Sequence, residues 1–179
     1  MHPQDILDFW FGELKPSQWY KVDTYLDAAI ARRFEPGYRE LSLSVPPGWR
    51  ENARGVLAAI IVLDQFPRNM FRGLPQAFAT DASALALSQE AIAMNHDREL
   101  NEAERQFIYM PFQHAEDRAL QTRSVQLFES LGNANALDFA NRHRVIIERF
   151  GRFPHRNAIL GRPSTAQETE FLKQPGSSF

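Results

Sequence analysis

The chain has 179 residues, a net charge of −2 and no cysteine, and hydrophobic residues make up 44% of it. This length and apolar content are enough for a sizeable core, which excludes a disordered chain. The lack of cysteine excludes disulfides, thiolate nucleophiles and thiolate metal sites.

Charge and hydropathy also limit the possible partners. The first residues, MHPQDILDFWFGE, carry acids where a signal peptide would be apolar. The longest apolar run, residues 56–63, is far shorter than the ~20 residues that a membrane span needs. The net charge is negative and no nucleic-acid-binding motif is present. We therefore expect a cytoplasmic protein that binds neither membranes nor nucleic acid.

The apolar pattern predicts an all-α protein. Apolar residues recur at helical spacing from end to end, and no alternating strand pattern rivals them. No linker or composition shift divides residues 1–179, which predicts a single domain of about seven or eight antiparallel helices. In chain order, helices are predicted at about residues 3–12, 23–34 and 51–65, then 81–95, from 101, 114–131, 139–150 and from 165.

Prolines and one glycine are predicted to end or break several of these helices. Pro36 should end the second helix, and Pro67 should end the third, because proline disfavours the helical conformation of the residue before it. The third helix is apolar nearly all round and is expected to be central. Pro111 should kink or break the fifth helix, and Gly132 should stop the sixth. Residues 42–48 are predicted to be a loop.

Polar residues at three places have the pattern of helix starts. Asp81 is expected to cap the fourth helix. Asn101 is followed three residues later by Glu104, and Thr165 is followed at the same spacing by Glu168. Both pairs are typical of capping boxes, in which two side chains satisfy each other's backbone amides.

Two segments of the chain are similar to each other. IIVLDQFPRN (60–69) and VIIERFGRFPHRN (145–157) each carry an apolar helix, a Phe-Pro pair, and then an arginine and an asparagine. Side chains there could bond the carbonyls that a helix C-terminus leaves open, or could clamp an anion. The candidate ligand-binding residues are Arg68, Asn69, Arg72, Arg152, Arg156 and Asn157.

Three acids are expected to lie close to the core. Helical spacing places Glu116 and Asp117 of PFQHAEDRALQ (111–121) beside an apolar stripe, and Asp64 extends the apolar face of the third helix. A buried carboxylate without a partner costs several kcal/mol. Asp64 and one of the other two acids should therefore meet a cation. The expected cations are Arg68, Arg72, Arg152 and Arg156.

Several long strings identify a family resemblance. LDQFPRNMFRG (63–73), FATD (78–81), PFQHAED (111–117) and RFGRFPHRNAILGR (149–162), with the WFGE opening and the FLKQPGSSF ending, resemble a bacterial family of unknown function, domain of unknown function 924. The resemblance covers essentially the whole chain. It implies an all-α, TPR-like stack of helices and no activity. The 34-residue spacing of TPR repeats is absent from the sequence.

Four interpretations of the arginines, asparagines and acids stay open. They could only tie helix ends together, or the arginines and asparagines could bind a small anion. An enzyme could use an acid or base from among His155, His114, Glu116, Asp117 and Asp64. The TPR-like resemblance would also fit a protein-interaction module.

Neither a metal nor a cofactor is predicted. The sequence contains no HExxH motif, nucleophile elbow or phosphate loop. His114 and Glu116 are two residues apart on a predicted helix, so their side chains point in nearly opposite directions. His143 lies on the apolar face of its helix and is expected to be a core histidine.

Overall fold

The structure, a computed structural model, describes residues 1–178, which form helices joined by turns and loops and contain no strand. The all-α prediction is confirmed. Phe179, at the end of the FLKQPGSSF string, lies outside the described residues. The α-helices are α1 (Pro3–Leu7), α2 (Thr24–Leu43), α3 (Pro47–Arg50), α4 (Ala53–Ile60), α5 (Phe66–Met70), α6 (Asp81–Ala93), α7 (Glu102–Gln113), α8 (Arg118–Leu131), α9 (Ala134–Phe150) and α10 (Ala166–Phe171).

Three prolines lie inside helical runs. The helix ends predicted at Pro36 and Pro67 are wrong, and Pro111 does not break its helix. Pro36 lies within α2 and Pro111 lies within α7. Helix α4, a π-helical segment (Ile61–Gln65) and α5 follow one another directly, so that the helical path continues past Pro67. Helix α3 occupies part of the predicted loop 42–48.

Tertiary contacts explain why the helical path continues past Pro67. Proline has no amide hydrogen to donate, and its ring crowds the carbonyl four residues earlier, which here belongs to Leu63. The wider π-helical turn gives that carbonyl room. The Thr80 hydroxyl then donates to the Leu63 oxygen at 2.6 Å. The guanidinium of Arg68 donates to the next carbonyl, that of Asp64.

The predicted helix starts are mostly confirmed. Asn101 and Glu104 exchange two backbone-to-side-chain hydrogen bonds of 3.2 and 3.0 Å. Thr165 and Glu168 form the second capping box, with bonds of 2.7 and 3.2 Å. Both signals are local, because each side chain bonds an amide only three residues away. At the start of α6, however, Thr80 has the cap position and Asp81 is the first helical residue.

The described residues group into two compact units. Unit 1 comprises Met1–Arg72 and Gln76–Pro111, and unit 2 comprises Gly73–Pro75 and the residues from Phe112 onward. The core of unit 1 is aromatic: Phe34 stacks on Phe66 with ring centroids 4.8 Å apart, and the fully buried Trp10 lies 5.7 Å from Phe66. Helix α4 is buried along most of its length, as its all-round apolar pattern predicts.

Helices α8 and α9 of unit 2 pack against each other, and a hydrophobic cluster lies at the end of α9. Ile146 and Ile147 of α9 pack with Phe153, which follows that helix and is fully buried. Gly132 stops α8 in the left-handed conformation, with a φ of 80°, as predicted. Among the described residues of both units, no helix has the length and hydropathy needed to cross a membrane.

Candidate functional site

Asp64 and Arg68 of unit 1 form a buried ion pair. Asp64 lies in the π-helical segment and is fully buried, 3.2 Å from a guanidinium nitrogen of Arg68. Arg68 also bonds both carboxylate oxygens of Asp81, at 2.9 and 3.1 Å. Burial would lower the pKa of Arg68, but Asp64 and Asp81 outweigh it and raise the pKa. The prediction that Asp64 meets a cation is confirmed, and the guanidinium is held by two protein carboxylates.

Asn69 and Arg72 share a third acid of unit 1. The Asn69 amide donates to Asp27 at 2.8 Å, and two nitrogens of Arg72 donate to the same carboxylate at 2.9 Å each. Asp27 lies 42 and 45 residues away in sequence from these partners. These bonds tie α2 to α5 and to Arg72, which follows α5.

Arg152 of unit 2 is also engaged by a carboxylate. Two of its nitrogens donate to Glu168 of α10 at 2.7 and 2.8 Å, and one donates to the Pro163 carbonyl at 2.9 Å. Glu168 is buried, with 2% of its surface exposed. The bonds from Arg152, opposed by burial, lower the pKa of Glu168 to about 2. Arg152 therefore fastens α10 to the end of α9.

Glu116 meets a cation, as predicted for one of the two neighbouring acids, but the cation is Arg162. Arg162 donates to both Glu116 oxygens, at 2.5 and 2.9 Å, and the Phe153 amide donates at 2.7 Å. Burial raises the pKa of Glu116, but these bonds outweigh it and hold the pKa below its ordinary value. Asp117 instead caps α8 by accepting from the Leu120 amide at 2.9 Å.

Asn157 is a packing residue of unit 2. It is fully buried, its amide donates to Ser164 at 3.1 Å, and its oxygen accepts from Arg162 at 3.1 Å. Its contacts hold the turn 157–164 closed. That turn brings Arg162 to Glu116.

The two similar Phe-Pro segments differ in structure. Phe66-Pro67 begins α5 inside a continuous helical path. Phe153-Pro154 comes after α9 has ended at Gly151, and Pro154–Arg156 forms a short 3-10 turn. The likeness of the two strings therefore does not correspond to a repeated structure.

Three histidines and an arginine gather around Phe153 in unit 2. We call His114, His143, His155 and Arg156 the histidine cluster. The Phe153 ring lies 5.5 Å from His143 and 5.7 Å from His155, and the Arg156 guanidinium lies 4.7 Å above it. The rings of His114 and His143 are 6.4 Å apart. The sequence presents these residues separately, and only His143 is predicted to be in the core.

His143 is the buried member of the histidine cluster, and 4% of its surface is exposed. Its Nδ1 lies 2.8 Å from the Phe139 carbonyl, so the ring donates there as a neutral imidazole. The pKa of His143 is lowered to about 3, mainly by burial. The hydrogen bond to Phe139 raises this pKa, whereas the charges of His114, Arg156 and His155 help to lower it. His143 is thus a neutral core histidine, as predicted.

Access to the histidine cluster differs among its members. His114 and His155 are half-buried, whereas 7% of the Arg156 surface is exposed. Two imidazoles are therefore within reach of solvent, next to a buried guanidinium. A groove of about 330 Å³ in unit 1, lined by residues that include Leu41, Arg50, Leu87 and Glu90, contains no candidate site residue.

The arrangement does not suggest a metal centre. Within the part of the chain that the structure describes, no group of three or more histidine, aspartate or glutamate side chains is placed to hold a metal ion. The cluster is instead a set of cationic and protonatable groups, which can bind anions or exchange protons.

The comparisons with known proteins agree with the family resemblance. Residues 6–176 match a family described as "Bacterial protein of unknown function (DUF924)". The solved structure of the protein of unknown function ATU0120 from Agrobacterium tumefaciens is similar, with 42% identity, a TM-score of 0.91 and 96% of each chain covered. No curated protein matches. The chain therefore belongs to the bacterial DUF924 family, and the match spans both units.

Proposed function

We propose that this protein binds a small anion, a carboxylate or an oxyanion, at the histidine cluster of unit 2. One observation carries the proposal. The Arg156 guanidinium and the rings of His143 and His155 lie within 5.7 Å of the Phe153 ring, and the His114 ring lies 6.4 Å from that of His143. Groups that are cationic, or become cationic on protonation, are therefore concentrated around one small volume, and a positive potential there attracts anions.

The acids of unit 2 near this volume are bound by other arginines. Glu116 is bonded by Arg162, and Glu168 is bonded by Arg152. Arg156 also lowers the pKa of Glu116, but its contribution is smaller than that of Arg162. These two pairs offset the charges of Glu116 and Glu168.

The position of Arg156 suits anion recognition. Its guanidinium stacks over the Phe153 ring at 4.7 Å, which fixes the plane of its donors. Because Arg156 is buried, its charge is poorly screened and its hydrogen bonds to an anion would be strong. The half-buried His114 and His155 provide the approach from solvent.

The proposed ligand-binding set is smaller than the six residues that the sequence suggests. Arg68, Arg72 and Arg152 are each bonded to protein carboxylates. Asn69 and Asn157 bond to protein side chains. The proposed set is Arg156, His155 and His114, which lie together in the histidine cluster.

Calorimetric titration of sulfate and of acetate into the protein at pH 6.5 tests the proposal. We expect saturable binding that weakens by about tenfold or more in Arg156→Gln, because a charged hydrogen-bonding partner contributes about 1.5–3 kcal/mol. Arg156→Lys, which keeps the charge, should retain part of the affinity. Arg149→Gln is the matched control, because Arg149 also lies 4.7 Å above a phenylalanine ring but is exposed.

Two results would contradict anion binding at the histidine cluster. One is the absence of saturable binding of either anion to the unaltered protein. The other is equal weakening by Arg149→Gln and Arg156→Gln, which would indicate nonspecific charge attraction. Circular dichroism of each variant establishes that it is folded before it is titrated.

We also propose a cytoplasmic location and a TPR-like arrangement of helices. The location is supported by the absence of disulfides, which are common in secreted proteins and rare in cytosolic ones. The TPR-like arrangement is supported by the pairing of α8 with α9 across the tight turn at Gly132. A protein partner would follow from that arrangement by analogy alone.

A further inference from the structure

Gln121 of α8 is fully buried, and its side-chain amide is held in one orientation. The amide nitrogen donates to the carbonyls of Gln113 and Ala115 at 2.7 and 2.8 Å. A longer bond of 3.4 Å joins the same nitrogen to the Phe112 carbonyl. Turning the amide over would point its oxygen at three other acceptors, so these bonds fix which side the oxygen faces.

The side-chain oxygen of Gln121 has no donor within the chain. This Oε1 atom is buried, and none of the residues that the structure describes bonds to it. A buried oxygen of this kind loses its bonds to solvent on folding, and an unmade bond destabilises the folded state. Buried polar atoms nearly always have a partner, and where the chain supplies none an internal water commonly does.

Ser124, three residues further along α8, has a second buried atom of this kind. Its hydroxyl is fully buried and bonds to no group of the described chain. Two other hydroxyls of α8 bond to carbonyls of their own helix. Thr122 donates to the Arg118 carbonyl at 3.1 Å. Ser130 donates to the Leu127 carbonyl at 2.7 Å. The Ser124 hydroxyl makes no such bond, so its donor and acceptor positions are left for another partner.

The two buried atoms together match the bonding of a water molecule. Residues three apart lie on the same face of a helix, and these two side chains do not bond each other directly. A water between them donates one hydrogen to Gln121 and makes a second bond with the Ser124 hydroxyl. Both groups are neutral and together offer two oxygens, whereas a hard cation takes about six or more.

We infer that Gln121 and Ser124 bind an internal water molecule in unit 2, which joins the Gln121 oxygen to the Ser124 hydroxyl. The water completes the set of bonds through which Gln121 holds residues 112–115, the segment before α8 that carries His114. The water site does not depend on anion binding, because neither Gln121 nor Ser124 belongs to the histidine cluster.

A crystal structure at high resolution tests the water site directly. We expect an ordered water oxygen within about 3.2 Å of both Gln121 Oε1 and Ser124 Oγ. Relaxation dispersion of the water oxygen nucleus counts long-lived internal waters in solution, and exchange of hydroxyl protons does not affect it. The double variant Gln121→Met/Ser124→Val replaces both polar groups with apolar ones. It should lose the contribution of one such water.

Ser130→Ala is the matched control, since it removes a hydroxyl of the same helix whose bond is made within the chain. It should leave the dispersion unchanged. Electron density that shows no water between Gln121 and Ser124 would overturn the inference. An unchanged dispersion in the double variant, or an equal loss in Ser130→Ala, would also overturn it. The crystal structure of the unaltered protein decides the question even where the double variant does not fold.

Discussion

The Thr80 hydroxyl donates a 2.6 Å hydrogen bond to the backbone carbonyl of Leu63, which lies four residues before Pro67. In an uninterrupted α-helix, residue 67 would donate its amide hydrogen to that carbonyl, and proline has none. Both Thr80 and Leu63 are buried, so water does not replace the missing donor. A side chain 17 residues away thus allows a helical path to continue past a proline.

We predict that Thr80→Val lowers the free energy of unfolding by about 1–3 kcal/mol, because it leaves a buried carbonyl without a donor. Thr80→Ser keeps the hydroxyl and should cost less. The cost of Thr80→Val should shrink in a Pro67→Ala background, where residue 67 regains an amide hydrogen. Urea unfolding of the four members of this double-mutant cycle measures the coupling. Equal costs in both backgrounds would contradict the assignment.

Local signals in the sequence predict where helices begin better than where they end. The capping boxes at Asn101 and Thr165 are confirmed because each bond joins residues three apart. Whether the helical path continues past Pro67 depends on the hydrogen bond from Thr80 to the Leu63 carbonyl. The sequence around Pro67 does not predict that contact. Near Pro111, the buried Ser88 hydroxyl of α6 donates to the carbonyl of Ile108, the residue after Phe107, whose carbonyl Pro111 leaves without its helical donor.

The same limit applies to the candidate site. The sequence correctly predicts that Asp64 meets a cation, because an apolar helix face buries a carboxylate at that position. It does not predict that Arg72 pairs with Asp27, because the two are 45 residues apart and many acids are equivalent in sequence. The histidine cluster is missed for that reason too, since His114 and His155 come together only in the folded unit 2.

Asp64 should be the most sensitive of the paired acids. Asp64→Ala removes a fully buried carboxylate from Arg68, and breaking a buried pair costs about 3–5 kcal/mol. We expect the lower end of this range, because Asp81 still holds the guanidinium.

Asp138→Ala is the matched control for Asp64→Ala. Asp138 and Arg142 form an ion pair with the same four-residue spacing but both are exposed, so the cost should be about 0.5 kcal/mol or less. Equal costs for the two variants in chemical denaturation would show that burial does not set the strength of the Asp64 pair.

His143 should make the protein less stable in acid. Its pKa is about 3 in the folded chain and about 6.5 when unperturbed, so between these values the unfolded chain binds a proton that the folded chain does not. The free energy of unfolding therefore falls as the pH drops from 6.5 toward 3, with a contribution of at most about 1.4 kcal/mol per unit.

Replacing His143 removes this contribution. His143→Gln is neutral at every pH, so its free energy of unfolding should decline less steeply below pH 6.5 than that of the unaltered protein. Urea midpoints at pH 7, 6, 5 and 4 give the two slopes. His2→Gln, at an exposed histidine, should keep the original slope. Parallel slopes for His143→Gln and the unaltered protein would contradict the prediction.

The bonds between Glu168 and Arg152 should stabilise the folded protein most at a pH above 4.5, the ordinary pKa of Glu168. Because bonds from Arg152, opposed by burial, lower the pKa of Glu168 from 4.5 to about 2, its contribution is fully present above pH 4.5 and is lost as the pH falls through 2. Glu168→Gln should therefore lower the free energy of unfolding by about 1.5–3 kcal/mol at pH 7. The difference from the unaltered protein should shrink below pH 4.5.

Hydrogen exchange locates this effect in the chain. In Glu168→Gln, amides of α10 should exchange faster at pH 7, because the lost bonds join α10 to Arg152 at the end of α9. Amides of α4 should exchange at an unchanged rate, because these bonds do not involve α4. Glu170→Gln is the control, since Glu170 is on the same helix but pairs with Lys173 in solvent. If both variants accelerate exchange in α10 equally, helix charge rather than the Arg152 bond holds α10, and the role assigned to Glu168 is wrong.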